Sequence, residues 1–174
     1  IKNIIDEAMK AGTERNIGHE YQEEQAIEER YSEMARDVVP TPWNVINDLT
    51  QGGLAGGELG VIVAPAGIGK TWILCALGAG SMKKGKNIVH YTLELNESYV
   101  GLRYDSVLTG IANQNLKYHI DDVKKSINKI DGELVVKYFP TKTASVHTLS
   151  AHLQKLRTLG KDFDMVVVDY GDIL

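Results

Sequence analysis

The chain has 174 residues, which suits one domain with an appendage. Its 43% hydrophobic and 24% charged residues are typical of a soluble globular protein, and it contains no apolar run of the roughly 18–20 residues needed to span a bilayer. The net charge of -4 argues against a surface that coats nucleic acid, although a local basic site stays possible. A single cysteine, Cys75, excludes a disulfide framework, so a cytoplasmic protein is expected.

Residues 1–40 differ in texture from the rest of the chain and are predicted to form a helical linker, separate from a core at 41–174. Two apolar stripes have helical spacing: Ile1, Ile4, Ile5, Ala8 and Met9 in the first, and Ile27, Tyr31, Met34 and Val38 in the second. Short helices of this kind bury little surface alone. They are therefore expected to dock either on this chain's own core or on a second copy.

From Trp43 onward, strand signals alternate with helix signals. Apolar strands are predicted at residues 57–64, 87–94, 133–139 and 164–170. Helices are predicted at 71–82, after Asn96, at 121–130, and from 143 or 145 to 160. Continuous apolar strands that alternate with helices predict an α/β fold with a mainly parallel sheet covered on both faces.

The sequence ends at Leu174, four residues beyond the last predicted strand. A four-stranded parallel sheet that ends on a buried strand is an unusual complete domain. The natural polypeptide is therefore expected to continue, with the C-terminal part of the core outside this sequence.

The stretch APAGIGKT, residues 64–71, nearly matches the phosphate-binding pattern G-x-x-x-x-G-K-[ST], with Ala64 in place of the first glycine. It lies between a strand signal and a helix signal, as a phosphate-binding loop requires. Lys70 would reach the β- and γ-phosphates, and the Thr71 hydroxyl would bind Mg²⁺. The Trp72 ring is expected to be packed, with base stacking as the alternative. The nucleotide would be held by Ala66, Gly67, Ile68, Gly69, Lys70, Thr71 and Trp72.

Two acidic residues at strand ends are candidates for hydrolysis of the nucleotide. Asp169 closes the run MVVVD and is predicted to hold magnesium together with Thr71. Glu94 closes the predicted strand NIVHYTLE and, with Lys70, is a predicted catalytic residue that would orient the attacking water. Glu97 is its nearest rival, although it lies within the first turn of the next helix.

Taken together, LTQGGLAGGELGVIVAPAGIGKT, HYTLELNE and MVVVDYGDIL resemble the RecA-like P-loop ATPase core of DnaB-like replicative DNA helicases. In that family the loop commonly begins with alanine, as at Ala64. The catalytic glutamate ends an "SLE" motif, as Glu94 does, and an arginine recurs on the next helix, as Arg103 does. Tyrosine follows the magnesium-binding aspartate, as Tyr170 does. The segment KYFPTKTASVHTLSAHLQKL resembles phage members of the group.

The resemblance implies an ATP- and Mg²⁺-dependent helicase that forms a ring, usually a hexamer, and translocates on single-stranded DNA in a bacterial or phage-infected cytoplasm. It also implies that the N-terminal linker docks on the neighbouring subunit, and it makes a primase or a helicase loader a possible further partner.

Two other readings stay open. Recombinases and circadian-clock-type ATPases also carry a GGL…GE turn before the loop and an acid after the second strand. An ATP-dependent assembly or loading factor, without strand-unwinding activity, is an alternative from a different functional class. Ala64, Tyr170 and the segment PTKTAS favour the helicase.

The remaining candidate residues are predicted to be structural. The five histidines show no metal-ligand spacing, and His90 is expected to be packed in its strand. Cys75 lies between apolar neighbours and is expected to act as a small buried hydrophobic residue.

Overall fold

The computed structural model describes residues 21–32, 36–140 and 143–170. These belong to two units, and the division lies between Arg36 and Asp37. The predicted helical face at residues 1–9 lies outside the described residues. In the first unit, helix α1 spans Glu24–Ser32, and Arg30 Nη2 donates a hydrogen bond to the Tyr21 carbonyl oxygen at 3.2 Å. The predicted extension of this helix to Val38 is wrong, because Val38 lies in a strand of the second unit.

The second unit alternates short strands and helices, and its helices cover both faces of a sheet. In chain order its elements are β1 Val38–Val39, α2 Asn44–Leu49, β2 Leu54–Ala55, α3 Lys70–Met82, β3 Ile88–Thr92, α4 Glu97–Thr109, a 3₁₀ helix Asn113–Tyr118, α5 Ile120–Ile127, β4 Leu134–Tyr138, α6 Val146–Thr158 and β5 Met165–Asp169. Strands β1 and β2 form a small antiparallel pair. Among the described residues, no helix is long and apolar enough to cross a bilayer.

The main sheet has three parallel strands in the order β4-β3-β5, with Ile88 of β3 opposite Leu134 and Met165. All five residues of β3 are buried, as expected of a strand that is covered on both faces. One face of the sheet packs on α3 and α4 through Ile88 and Val167, and the other packs on α6 through Val89 and Tyr91. The predicted α/β class with a parallel sheet is confirmed.

Helices α3 and α4 pack closely against each other on one face of this sheet. A Cβ atom built on Gly78 of α3 would collide with the Tyr104 ring of α4, so glycine permits the close approach. Asn96 caps α4 by accepting hydrogen bonds from the backbone N–H groups of Ser98 and Tyr99, at 2.9 and 3.3 Å. The N-cap of α4 therefore lies two residues after Glu94, and the helix begins at the next residue.

The prediction of a buried strand at residues 57–64 is wrong. No strand is assigned there, and the side chains of Leu59, Val61 and Val63 are 86%, 70% and 90% exposed. An apolar, β-branched run becomes a strand only where a neighbour accepts and donates its backbone hydrogen bonds. In the part of the chain that the structure describes, no strand pairs with this segment.

Candidate active site

The loop before α3 has the backbone that a phosphate-binding loop needs. Gly67 and Gly69 have φ values of 78° and 105°, a region that residues with a Cβ atom rarely adopt. Gly69 is the N-cap of α3 and offers no side chain to its first amide groups. Those N–H groups and the positive end of the helix dipole therefore face the loop, where they suit an anion.

The loop forms one wall of a cleft of about 320 Å³ at the carboxyl ends of β3 and β5. Six of the predicted nucleotide-binding residues line it, and Ile68, whose side chain is 68% exposed, does not. Both predicted strand-end acids, Glu94 and Asp169, line it as well. The lining comprises Ala66, Gly67, Gly69, Lys70, Thr71, Trp72, Glu94, Leu95, Arg103, Asp169 and Tyr170.

Asp169 is a buried carboxylate at the end of β5. It is 1% exposed, and its Oδ2 atom has no hydrogen-bond partner among the described residues. An unsatisfied buried carboxylate oxygen is costly unless a cation or a donor completes it. Asp169 and the Thr71 hydroxyl line the same cleft and supply oxygen atoms, the ligands that Mg²⁺ prefers.

The pair also fits magnesium in the number of its protein ligands. Mg²⁺ is usually held by one or two protein side chains, together with substrate phosphates and water, rather than by a cage of protein ligands. Thr71 and Asp169 would supply two such side chains. The residues present therefore fit a magnesium ion that accompanies a nucleotide.

A turn after β3 places Glu94 on the cleft. The buried Thr92 hydroxyl donates to the carbonyl oxygen of Leu95 at 2.7 Å and accepts from its N–H at 3.1 Å. These two bonds close a tight turn, with Glu94 exposed at its tip. Its carboxylate can therefore meet a water molecule that enters the cleft.

Glu97 is engaged elsewhere. Its Oε1 atom accepts hydrogen bonds from the backbone N–H of Tyr138 at 3.1 Å and from Lys137 Nζ at 3.0 Å. The Tyr138 N–H, followed by Lys137, lowers the pKa of Glu97. This carboxylate ties the first turn of α4 to the end of β4, and it is not part of the cleft lining. The geometry thus favours Glu94 over Glu97 as the acid that could act on water.

Three residues of the cleft, Leu95, Arg103 and Tyr170, were not predicted as site residues, and a fourth, Trp72, differs from its expectation. The family resemblance includes an arginine on the helix after β3 and a tyrosine after Asp169, but it assigned neither of them to the site. The Trp72 ring, expected to be packed, is 38% exposed on the cleft. The Arg103 guanidinium lies 5.4 Å from its centroid, which makes a cation–π contact.

A buried polar pair lies on the face of the sheet that carries Asp169. His90 Nδ1 of β3 lies 3.0 Å from the Tyr104 hydroxyl of α4, and both side chains are at most 2% exposed. Burial lowers the pKa of His90 to about 4, so its imidazole is neutral near pH 7. Cys75 of α3 is fully buried, as predicted, and burial raises its thiol pKa to about 12. These groups are therefore neutral side chains in the core next to the cleft.

A second and larger cavity, of about 540 Å³, lies beside α4 and contains none of the predicted site residues. Its lining combines apolar and polar side chains, and burial raises the pKa of its one acid, Asp105. Its lining contains no glycine, so it lacks the glycine-rich loop that binds the phosphates of a nucleotide. The lining comprises Leu102, Asp105, Asn113, Gln114, Leu116, Lys117, Ile120 and Val123.

A glycine-rich loop that enters a helix at the carboxyl edge of a parallel sheet is the arrangement of P-loop nucleotide-binding domains. Residues 38–174 match the family model of the DnaB-like helicase C terminal domain. The chain therefore belongs to the family of the DnaB-like helicase C-terminal domain, and its fold is the RecA-like P-loop fold.

A curated relative points the same way. The DnaB-like replicative helicase of Enterobacteria phage T4 is 28% identical over 181 residues, and the alignment covers 98% of this chain. It covers 38% of the relative, so the chain spans a little over a third of that protein's length.

Proposed function

We propose that this chain forms the ATPase core of a replicative DNA helicase, in which hydrolysis of ATP drives movement along single-stranded DNA. The observation that carries the proposal is the single cleft lined by Lys70, Thr71, Glu94 and Asp169. Those four residues come from a loop–helix junction and from the ends of two parallel strands. Their meeting at one edge of the sheet is what phosphoryl transfer requires.

In this proposal the loop and the start of α3 hold the phosphates. The amide groups of residues 66–71 donate to the phosphate oxygens, and Lys70 neutralises charge that develops on the γ-phosphate. Thr71 and Asp169 would hold a magnesium ion, which would neutralise phosphate charge when it is bound.

Glu94 supplies the remaining function, the orientation of water. Its exposed carboxylate accepts a hydrogen bond from the attacking water and positions it in line with the γ-phosphate. Glu97 keeps its structural role, because its pairing with Lys137 and with the Tyr138 N–H holds α4 in place.

The proposal also covers the helicase activity of the whole protein and its partners. The T4 relative is described as a replicative helicase, which supports single-stranded DNA as the track. We propose a homo-oligomeric ring, expected to be a hexamer, with ATP bound between subunits and residues 1–40 docked on a neighbouring copy. A primase or a helicase loader would join it in the cytoplasm of a bacterial or phage-infected cell.

The test is the ATPase rate of the full-length protein with and without single-stranded DNA. A motor that moves on DNA should hydrolyse ATP faster when the strand is present, and Glu94→Gln should remove both rates. Duplex DNA of the same length is the control for non-specific charge effects. An ATPase rate that does not change when single-stranded DNA is added would contradict the helicase proposal. That result would favour an ATP-dependent assembly or loading factor.

A further inference from the structure

Arg103 is a cation in the cleft without an anionic partner on the described part of the chain. It lies on α4, is partly buried, and lines the same cleft as Lys70 and Asp169. In residues 21–32, 36–140 and 143–170, neither an ion pair nor a hydrogen bond of its guanidinium is found, and the Trp72 ring is the partner it contacts. A partly buried guanidinium without hydrogen-bond acceptors suits an anion that binds beside it.

Trp72 contacts that guanidinium. It is the third residue of α3, directly after Thr71, and its ring centroid lies 5.4 Å from the guanidinium carbon of Arg103 on α4. Stacking on a rigid indole restricts the rotamers of a long, flexible arginine. An arginine that is already held in place loses less conformational entropy when an anion binds.

The cleft also indicates which part of a nucleotide would meet Arg103. The loop amide groups precede α3 and suit the β-phosphate, whereas Glu94 and Asp169 mark the direction in which a γ-phosphate and its magnesium would lie. Arg103 lies on the helix that follows Glu94, and it borders the cleft together with both acids. A planar guanidinium can bind two oxygens of a terminal phosphate at once.

We propose that Trp72 is a positioning residue that holds Arg103 against the terminal phosphate of ATP, so that the pair distinguishes ATP from ADP. This inference rests on the proposed nucleotide site. Arg103 makes the contact with the phosphate, and Trp72 acts through Arg103. Because ADP lacks the γ-phosphate, its affinity should depend little on either side chain.

The experiment measures the dissociation constants of the Mg²⁺ complexes of ATPγS and ADP with the full-length protein by calorimetry. Arg103→Gln should weaken ATPγS binding by about 10- to 100-fold, the scale of a lost charged hydrogen bond, and change ADP binding by less than about threefold. Trp72→Leu should weaken ATPγS binding by about two- to fivefold, and Trp72→Phe, which keeps an aromatic face, should restore it. Arg157→Gln, at an exposed arginine of α6 outside the cleft, is the matched control.

Each outcome decides one claim. Equal losses for ATPγS and ADP in Arg103→Gln would overturn the terminal-phosphate contact. An unchanged ATPγS affinity in Trp72→Leu, or a loss that Trp72→Phe does not restore, would overturn the positioning role. If Trp72→Leu fails to fold, Trp72→Met removes the ring in its place. Two other results would instead overturn the proposed nucleotide site. In the first, the wild type binds neither nucleotide. In the second, Lys70→Ala binds both nucleotides with the affinities of the wild type.

Discussion

The ammonium group of Lys70 lies 2.7 Å from the carbonyl oxygen of Ala64, the residue that replaces the first glycine of the loop pattern. A second carbonyl oxygen, that of Pro65, lies at 3.3 Å. The lysine thus donates to the backbone of its own loop, and a phosphate would take the place of these acceptors. The contact uses the Ala64 carbonyl group, so the methyl side chain of alanine does not interfere with it.

Lys70→Ala should reduce the turnover of ATP by about 10²- to 10³-fold, because it removes the cation nearest the transferred phosphate. The measurement is kcat from phosphate release by the full-length protein. Lys83→Ala is the matched control, since Lys83 is an exposed lysine at the far end of α3. Retained turnover in Lys70→Ala would remove the assignment of the loop.

Glu94→Gln and Glu97→Gln form a paired test of the acid. Glu94→Gln should keep ATP binding and lower kcat by about 10²-fold or more, the usual scale for a positioned base. Glu97→Gln should keep kcat and lower the free energy of unfolding by less than about 1 kcal/mol, because its ion pair with Lys137 is exposed. A reversal of the two kcat results would show that the structural and catalytic roles are exchanged.

Asp169→Asn should separate stability from activity. The substitution removes a buried charge whose Oδ2 atom has no hydrogen-bond partner among the described residues, so the free energy of unfolding should not fall. Hydrolysis that depends on Mg²⁺ should drop by about 10²-fold or more. Urea unfolding and a magnesium titration of the ATPase rate measure the two effects.

The matched control for that experiment is Asp162→Asn, at an exposed acid outside the cleft, which should change neither quantity. If Asp169→Asn instead lowered the free energy of unfolding by more than about 2 kcal/mol, Asp169 would be a structural residue of the core.

His90 should make the protein less stable in acid. Its pKa is lowered by burial from 6.5 to about 4, so between these values the unfolded state binds the proton and the folded state does not. The stability that His90 contributes is complete above about pH 6.5 and is lost as the pH falls towards 4. The difference in the free energy of unfolding is on the order of 3 kcal/mol.

The measurement is urea unfolding across this pH range for the wild type and for His90→Gln. The wild type should lose more stability than the variant as the pH falls. His152, whose pKa is also lowered by burial, titrates in both proteins and so cancels in the comparison. Identical pH dependence would contradict the account of His90.

The sequence predicted the parts of this fold that short-range chemistry determines. Gly67 and Gly69 occur where the loop needs positive φ, and Asn96 occurs where α4 needs a cap. The end of a strand could be predicted where an apolar run is followed by an acidic residue, as in MVVVD. Since carboxyl ends of parallel strands share an edge, the meeting of Glu94 and Asp169 could be inferred from the order of the elements.

The parts that depend on distant neighbours could not be predicted in the same way. Residues 57–64 have the composition of a strand, yet a strand forms only against a partner, and composition does not report the partner. The contact of Trp72 with Arg103 joins residues that are 31 positions apart in the chain. Glu97 could be separated from Glu94 only once β4 was seen to supply the Tyr138 N–H.

The most direct test of the central claim is strand displacement on a forked DNA duplex by the full-length protein, followed by fluorescence as the labelled strand is released. With ATP and Mg²⁺ the wild type should separate the strands, whereas Glu94→Gln should bind nucleotide and leave the duplex intact. Strand separation that does not require ATP would contradict a helicase driven from this cleft. So would the absence of strand separation under conditions in which single-stranded DNA stimulates the ATPase.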